Sequence, residues 1–229
     1  MDYKTLKPLD LNEIKQISFP DDHYFKEETN KTQIVLHHTC SITLDSVVNT
    51  WTEKPSHTAT PFVIGMDGTI YQLFSSKYHS IHLFRDHTPF DKMGIPNGEQ
   101  QRYIIEKQSI GIELLNWGSL ELKNNNYYAI YGNNVNLKPS EVDYFPDGYM
   151  GYKYFQKYSD AQITAVYRLV KYLSIKWNID LTYHDDMWDM NKQALLGQNG
   201  IWTHVSYRGN QKSDLHKQQE VIDMIKALK

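Results

Sequence analysis

A central mixed β-sheet flanked by helices, of the α/β (α+β) class, is the fold this sequence predicts. Three observations predict it. Two short apolar runs, at 33–37 and 109–115, have β-branched residues at their centres, as buried strands do. The Asp67-Gly68 pair sits between two further short apolar runs and marks a hairpin. After Ser159, apolar residues recur every three or four positions, the signature of a helix with one buried face. Strands interspersed with helices bury their apolar faces as a sheet covered by helices.

The elements follow in chain order. Residues 1–30 are polar and read as an N-terminal arm packed on the domain, with Asp10 capping a short helix over Leu11–Ile17. Gln33-Ile34-Val35-Leu36-His37 is a buried strand ending in a second histidine, His38. Ser46–Trp51 reads as a short helix. Phe62–Ile64 and Thr69–Leu73 pair across Gly65-Met66-Asp67-Gly68. Ser109–Leu115 is another buried strand and carries Glu113 near its end. Residues 121–157 are rich in Tyr, Asn, Gly and Pro and read as a loop with short strands, serving as a lid or groove wall. Ser159 and Gln162 form a capping box, and Ile163, Val166, Val170, Leu173 and Trp177 continue as a helical stripe. A last helix is predicted over Leu215–Leu228.

Composition narrows the function. The chain has 229 residues, 40% hydrophobic and 22% charged, enough apolar material for a core. A net charge of −3 disfavours a general nucleic-acid binder, which needs a basic face. No run approaches the roughly 18 apolar residues of a membrane span. The start lacks the apolar core of a signal peptide. Cys40 is the only cysteine, so neither an intrachain disulfide nor a Cys-rich zinc module can form. Ten histidines direct attention to a His-based metal site.

Two clusters carry candidate chemistry. His37-His38 closes the first buried strand, and open α/β sheets place ligands at the carboxyl ends of strands. The segment from His204 to Asp214 holds a His, Lys212 and an Asp in a glycine-containing loop before the last helix. Two imidazoles and a carboxylate form a donor set suited to catalytic zinc. Singly, Asp214 reads as a helix cap and Lys212 as a solvated side chain. His184-Asp185-Asp186 lacks partner spacing, and His57 and His87 read as surface or groove residues.

Ile34–Thr39, Phe62–Leu73, Ser109–Glu113 and the His204–Asp214 segment, taken in that order, resemble the zinc-dependent N-acetylmuramoyl-L-alanine amidases. That family includes phage lysozyme-type amidases and peptidoglycan recognition proteins. The resemblance implies a single domain of that type over 31–229, with 121–157 as a Tyr-rich insertion. It implies Zn2+ held by His37, His204 and Asp214. Glu113 matches the family's acid/base and Lys212 its oxyanion-stabilising lysine. His82 matches a groove histidine, with His79 the competing register, and Asn116 and Trp117 follow Glu113 along the groove. The closing motif departs from the family, reading Asp214-Leu215-His216 where Asp-Pro-Gly is usual.

The implied activity is hydrolysis of the amide between N-acetylmuramic acid and L-alanine, on peptidoglycan or muropeptides, by a monomer. Two alternatives share the fold: a binding module that does not cut, and a virion-associated component. The expected setting is synthesis in the cytoplasm, followed by release to the cell wall as a phage endolysin, or action on imported muropeptides.

Overall fold

The computed structural model describes residues 2–53 and 56–229. Its main sheet has six strands: β1 (Lys15–Gln16), β2 (Gln33–His38), β3 (Phe62–Ile64), β4 (Ile70–Gln72), β5 (Ser109–Leu114) and β11 (Gly200–Thr203), in the order β1-β4-β3-β5-β2-β11. The hairpin pair β3–β4 is antiparallel, and the other neighbours are parallel. The sheet is therefore mixed, as the sequence predicts. Every residue of β2 is buried, which is why its centre, Ile34-Val35-Leu36, is continuously apolar instead of alternating.

Helices cover the sheet. α1 (Leu44–Thr52) starts at Thr43, whose hydroxyl caps Ser46 N–H. α2 (Thr88–Lys92) and α3 (Gly98–Gln108) join β4 to β5. α4 (Asp160–Trp177) carries the expected capping box and ends at left-handed Asn178. Its Gln162 also reaches the sheet, donating to Leu115 O at 2.8 Å. α5 (Lys192–Leu195) and α6 (His204–Arg208) flank β11, and α7 (Gln219–Lys226) packs on α4.

Three expectations are corrected. The helix over 11–17 is only a 3-10 turn, Leu11–Glu13, although Asp10 does cap it. The next residues are drawn into β1, whose parallel pairing with β4 supplies the hydrogen bonds a longer helix would have made. The last helix starts at Gln219, not Leu215, because 215–218 form an irregular segment held against the second sheet, with Leu215 O accepting from Tyr149 OH and His216 stacked on Phe155. Segment 121–157 is not a loop with short strands. With Ser119 and Leu120 it forms a five-stranded antiparallel sheet: β6 (Ser119–Lys123), β7 (Asn126–Ala129), β8 (Asn134–Val135), β9 (Val142–Tyr149) and β10 (Tyr152–Gln156), in the order β8-β7-β6-β10-β9. Tyr residues dominate it because aromatic rings suit cross-strand pairing; Tyr154 stacks on Tyr144 at 5.1 Å and meets Tyr127 at 5.8 Å. α3 had no sequence signal, since its exposed polar face outnumbers its buried residues Gly98, Ile105 and Glu106.

Tyr149 and Phe155 from the second sheet join the main core, while Leu120, Ala129, Val135 and Val142 form a separate small core. The N-terminal segment is held by Arg168, which bonds Lys7 O, Pro8 O and the Glu13 carboxylate, and by Tyr3 stacked on Tyr167 at 5.0 Å.

Candidate metal centre

Three adjacent parallel strands deliver the site. In the order β5-β2-β11 their carboxyl ends carry Glu113, His37 and His204. His37 stands directly opposite Glu113 in the register. His204 is the first residue after β11, and a Thr203–Ser206 capping box fixes the turn that presents it. The chain then loops through Gly209 and returns, with Val205 N–H donating to Asp214 O at 3.0 Å. That closure brings the Asp214 carboxylate back against His204.

His37, His204 and Asp214 are all buried, and their donor atoms converge. His37 Nδ1 lies 2.9 Å from His204 Nδ1, His204 Nδ1 lies 2.9 Å from Asp214 Oδ2, and His37 Nδ1 lies 3.3 Å from the same oxygen. A tetrahedral zinc with ~2.05 Å arms has ligand–ligand edges of about 3.3 Å. The spacing therefore fits that ion.

The outer partners sharpen the fit. His204 Nε2 faces Leu83 O at 3.0 Å, and a carbonyl only accepts, so Nε2 carries the proton. His37 Nε2 faces His82 Nδ1 at 2.9 Å, His82 Nε2 faces Ser109 Oγ at 2.8 Å, and Ser109 Oγ donates to Glu106 O at 3.3 Å. Because that chain also ends on a carbonyl, it runs outward from a His37 Nε2–H. Burial holds His37, His82 and His204 below the usual histidine range, His204 at about 3. Both imidazoles are then neutral, with Nδ1 lone pairs turned inward. Burial works against the charge on Asp214, but its carboxyl lies well below the carboxylate range, with the positive charge of Lys212 among the causes. Two lone pairs and an anion crowded at about 3 Å repel one another unless a cation joins them. The residues present fit a metal.

Glu113 lies in the groove beside this triad. Its Oε2 is buried with no hydrogen-bond partner, and burial, then the charge of Asp214, push its carboxyl up to about 8 against the pull of Lys212. Lys212 also lines the groove and forms no ion pair among the described residues. The groove encloses about 1030 Å³. One wall comes from α1 and the residues before it (Cys40, Ile42, Trp51), the other from the second sheet and its connections (Trp117 before β6, Tyr131 between β7 and β8, Tyr152 in β10).

Other residues singled out from the sequence are placed as follows. Trp117 lines the groove. Asn116 does not: it is fully buried, donating to Lys157 O and accepting from Gly118 N–H, so it shapes the turn into the second sheet. His82 touches the groove, but its side chain is only 3% exposed and is engaged behind His37, which makes it a partner of a ligand before it is a substrate contact. Gly111 makes room for it, since a Cβ there would meet Thr60 Cγ2 at 2.5 Å and His82 Nδ1 at 3.0 Å. His79 is outside the centre, stacked on Phe25 at 4.8 Å. His184 stacks on Trp202, and His57 on Phe25. Exposed His87 pairs with Asp91 and Glu99.

Sequence reasoning assigned no role to four residues, Ser109, Arg85, Arg208 and His216. Ser109 opens a strand and gave no sign that it would terminate a histidine chain. Arg85 and Arg208 line the groove, and only Arg208 lay inside a recognised motif. His216, fully buried, is sandwiched between Phe155 at 4.8 Å and Tyr158 at 4.6 Å, with Nε2 3.2 Å from Asp143 Oδ2. Tyr149 OH donates to Leu215 O at 3.1 Å. The second sheet thereby clamps the residues after Asp214, where the related motif has Pro-Gly.

A family model described as N-acetylmuramoyl-L-alanine amidase matches residues 28–217. No curated protein sequence matches the chain. Among solved structures, the fold is similar to that of a selenomethionine derivative of AmpD, at 14% identity and TM-score 0.50, covering 97% of this chain and 98% of that one. The N-acetylmuramoyl-L-alanine amidase LysC from Clostridium intestinale URNW is 16% identical at TM-score 0.48, with coverages of 93% and 95%. The Drosophila peptidoglycan recognition protein PGRP-SA is 13% identical at TM-score 0.38, with coverages of 86% and 81%.

Proposed function

We propose, from the premise that this chain belongs to the N-acetylmuramoyl-L-alanine amidase family, that it is a zinc-dependent hydrolase of the amide joining the lactyl group of N-acetylmuramic acid to L-alanine. The observation that carries the zinc reading is the convergence of two neutral Nδ1 lone pairs and a carboxylate at 2.9–3.3 Å, beside a buried carboxyl with an unpartnered oxygen.

His37, His204 and Asp214 would hold the ion. Zinc bound there supplies Lewis acidity toward an amide carbonyl and makes water a usable nucleophile near pH 7. Glu113 takes the proton of the attacking water and passes one to the leaving amine. Burial makes its carboxylate a stronger base, and a cation held beside it would favour the ionised form that takes the first proton. Lys212 sits where negative charge develops on the carbonyl oxygen and stabilises it. The flanking groove, with Trp117 on one side, seats the glycan and peptide. His82 acts through His37, holding its tautomer.

Residues 31–229 form the catalytic domain in this reading, with the N-terminal segment bound to α4. No helix among the described residues is long and apolar enough to cross a membrane. We place the enzyme on cell-wall peptidoglycan, as a phage endolysin. A muropeptide-binding module would have no use for an unpaired buried carboxyl beside a complete metal donor set.

Product analysis tests the reading. Zinc-loaded protein incubated with intact sacculi, and with a soluble muropeptide, should release L-alanine amino termini and no new reducing sugar ends. A chelator should stop it. New reducing ends as the main product would indicate a glycosidase; cleavage of soluble muropeptide alone would remove the endolysin role.

A further inference from the structure

Three consecutive backbone N–H groups, those of His82, Leu83 and Phe84, point at one carboxylate. His82 N–H donates to Glu106 Oε2 at 3.0 Å, Phe84 N–H donates to Oε1 at 3.0 Å, and Leu83 N–H spans both oxygens at 3.1 and 3.3 Å. These residues lie in no helix or strand, so no ladder takes the three donors. Leu83 and Phe84 are buried, and a buried N–H must find its partner within the protein. Successive N–H groups turned to one side make an anion-binding concavity. Here the anion is a side chain of the protein itself.

Glu106 sits two residues before the end of α3 and is 3% exposed. Acidic residues are seldom buried so fully without partners. Burial raises its carboxyl to about 7, and the same three N–H groups oppose that rise. The helix end that carries it is itself fixed. Thr29 Oγ1 and the Nζ of fully buried Lys31 both donate to Lys107 O at 2.6 Å, and Thr32 N–H donates to Gln108 O at 2.9 Å. The segment leading into β2 thereby takes carbonyls that the end of α3 leaves unpaired.

The gripped loop supplies the outer partner of both imidazoles in the triad. His82 Nδ1 faces His37 Nε2 at 2.9 Å, and Leu83 O faces His204 Nε2 at 3.0 Å. The main chain of Glu106 takes part too, since its carbonyl accepts from Ser109 Oγ at the far end of the His82 chain. The carboxylate does not bond the His82 ring, because Oε2 lies 4.0 Å from Nε2, whose partner is Ser109 Oγ at 2.8 Å. It therefore decides where the ring and the Leu83 carbonyl stand.

We propose that Glu106 is a positioning residue for the metal centre, whose carboxylate fixes loop 82–84 so that both histidine donors present Nδ1 inward. This rests on the zinc reading above. His37 ends one strand and His204 follows another, yet both lean on the same three-residue loop. Releasing the loop should disturb the two ligands together.

The test compares wild type with Glu106→Gln, Glu106→Asp and Ile225→Ala, at pH 8. Gln keeps the size but turns an NH2 group toward N–H donors. Asp keeps the charge but is one methylene short. Ile225→Ala opens a cavity in α7 and lowers melting without touching the loop. Nitrogen NMR of the metal-free proteins reads the imidazole tautomers. His37 and His204 should both carry the proton on Nε2 in wild type and in Ile225→Ala, and should both show mixed tautomers in Glu106→Gln. Competition with a chromogenic chelator should show zinc affinity weakened roughly 10–100-fold in Glu106→Gln, less in Glu106→Asp, and unchanged in Ile225→Ala. Folded Glu106 variants with wild-type tautomers and zinc affinity within threefold of wild type overturn the proposal, since a merely structural residue would lower melting alone. Hydrogen exchange of wild type needs no variant. The amides of 82–84 should be protected like those of β5, and exchange at the rate of an exposed loop overturns the proposal as well. Wild type that binds zinc but releases no L-alanine amino termini from muropeptide overturns the amidase reading alone, because tautomers and zinc affinity still decide the role of Glu106.

Discussion

Replacing Glu113 with Gln should separate catalysis from stability in opposite directions. The shape is kept and the proton acceptor is lost. General acid–base catalysis is worth about 10²–10⁴-fold, so turnover by the zinc-loaded variant should fall by that factor while zinc and muropeptide still bind. Stability of the metal-free protein should move the other way. The Glu113 carboxyl is held at about 8 by burial and by Asp214, against 4.5 for a free glutamate. Between those pH values the folded chain keeps this proton and the unfolded chain has released it. Stability from this group is therefore lost as pH rises from about 4.5 to about 8, where the folded carboxyl ionises. At ~1.36 kcal/mol per pH step the full penalty is roughly 5 kcal/mol, and relaxation of the site reduces it to a few. Gln carries no such penalty. Metal-free Glu113→Gln should melt above wild type at pH 8 and near it at pH 4.5. The assays are amidase turnover and a melting series from pH 4.5 to 8.5. A folded, zinc-loaded variant with turnover within threefold of wild type would refute the catalytic role, and parallel melting curves across the series would refute the electrostatic argument.

The remaining predictions concern the supports of the site. His204→Ala or Asp214→Ala should bind far less than one equivalent of zinc, because only three protein donors exist to begin with; metal analysis after loading decides this. His82→Ala and Ser109→Ala should weaken zinc binding roughly 10–100-fold, with melting of the metal-free protein much less affected, since they act on the orientation of His37; competition with a chromogenic chelator measures it. Asp143→Ala should strip the buried His216 of its side-chain partner and cost roughly 1–3 kcal/mol, read as a lower Tm.

Much of this was legible in the sequence because it depends on local pattern. The apolar runs of β2 and β5 announce burial on both faces, and the Asp67-Gly68 turn announces the β3–β4 hairpin. The Ser159–Gln162 capping box places the start of α4 to the residue. Resemblance in four ordered segments then named the donor set that the structure brings within 4.8 Å. The errors lie where tertiary contacts outrank local preference. Asp10 caps a turn whose next residues leave for a sheet edge, and the tyrosines of 121–157 look like loop residues until each strand has a partner. Asn116, adjacent in sequence to Trp117, is turned to the backbone instead, accepting from Gly118 N–H and donating to Lys157 O.

The sequence by itself determined β2, the β3–β4 hairpin, β5 and the start of the principal helix, since each is written in the spacing of residue types, while its resemblance to the amidases pointed to a candidate donor set. Only the tertiary structure decided how those donors are prepared. Which nitrogen of His37 faces inward depends on His82 and Ser109, which lie 45 and 72 positions further along the chain. The hold on Asp214 depends on Asp143 and Tyr149 from the second sheet. A proton's position and a carboxyl's pKa are set by whatever lies within a few ångströms, and neighbours at that range are assembled by folding, not by adjacency along the chain.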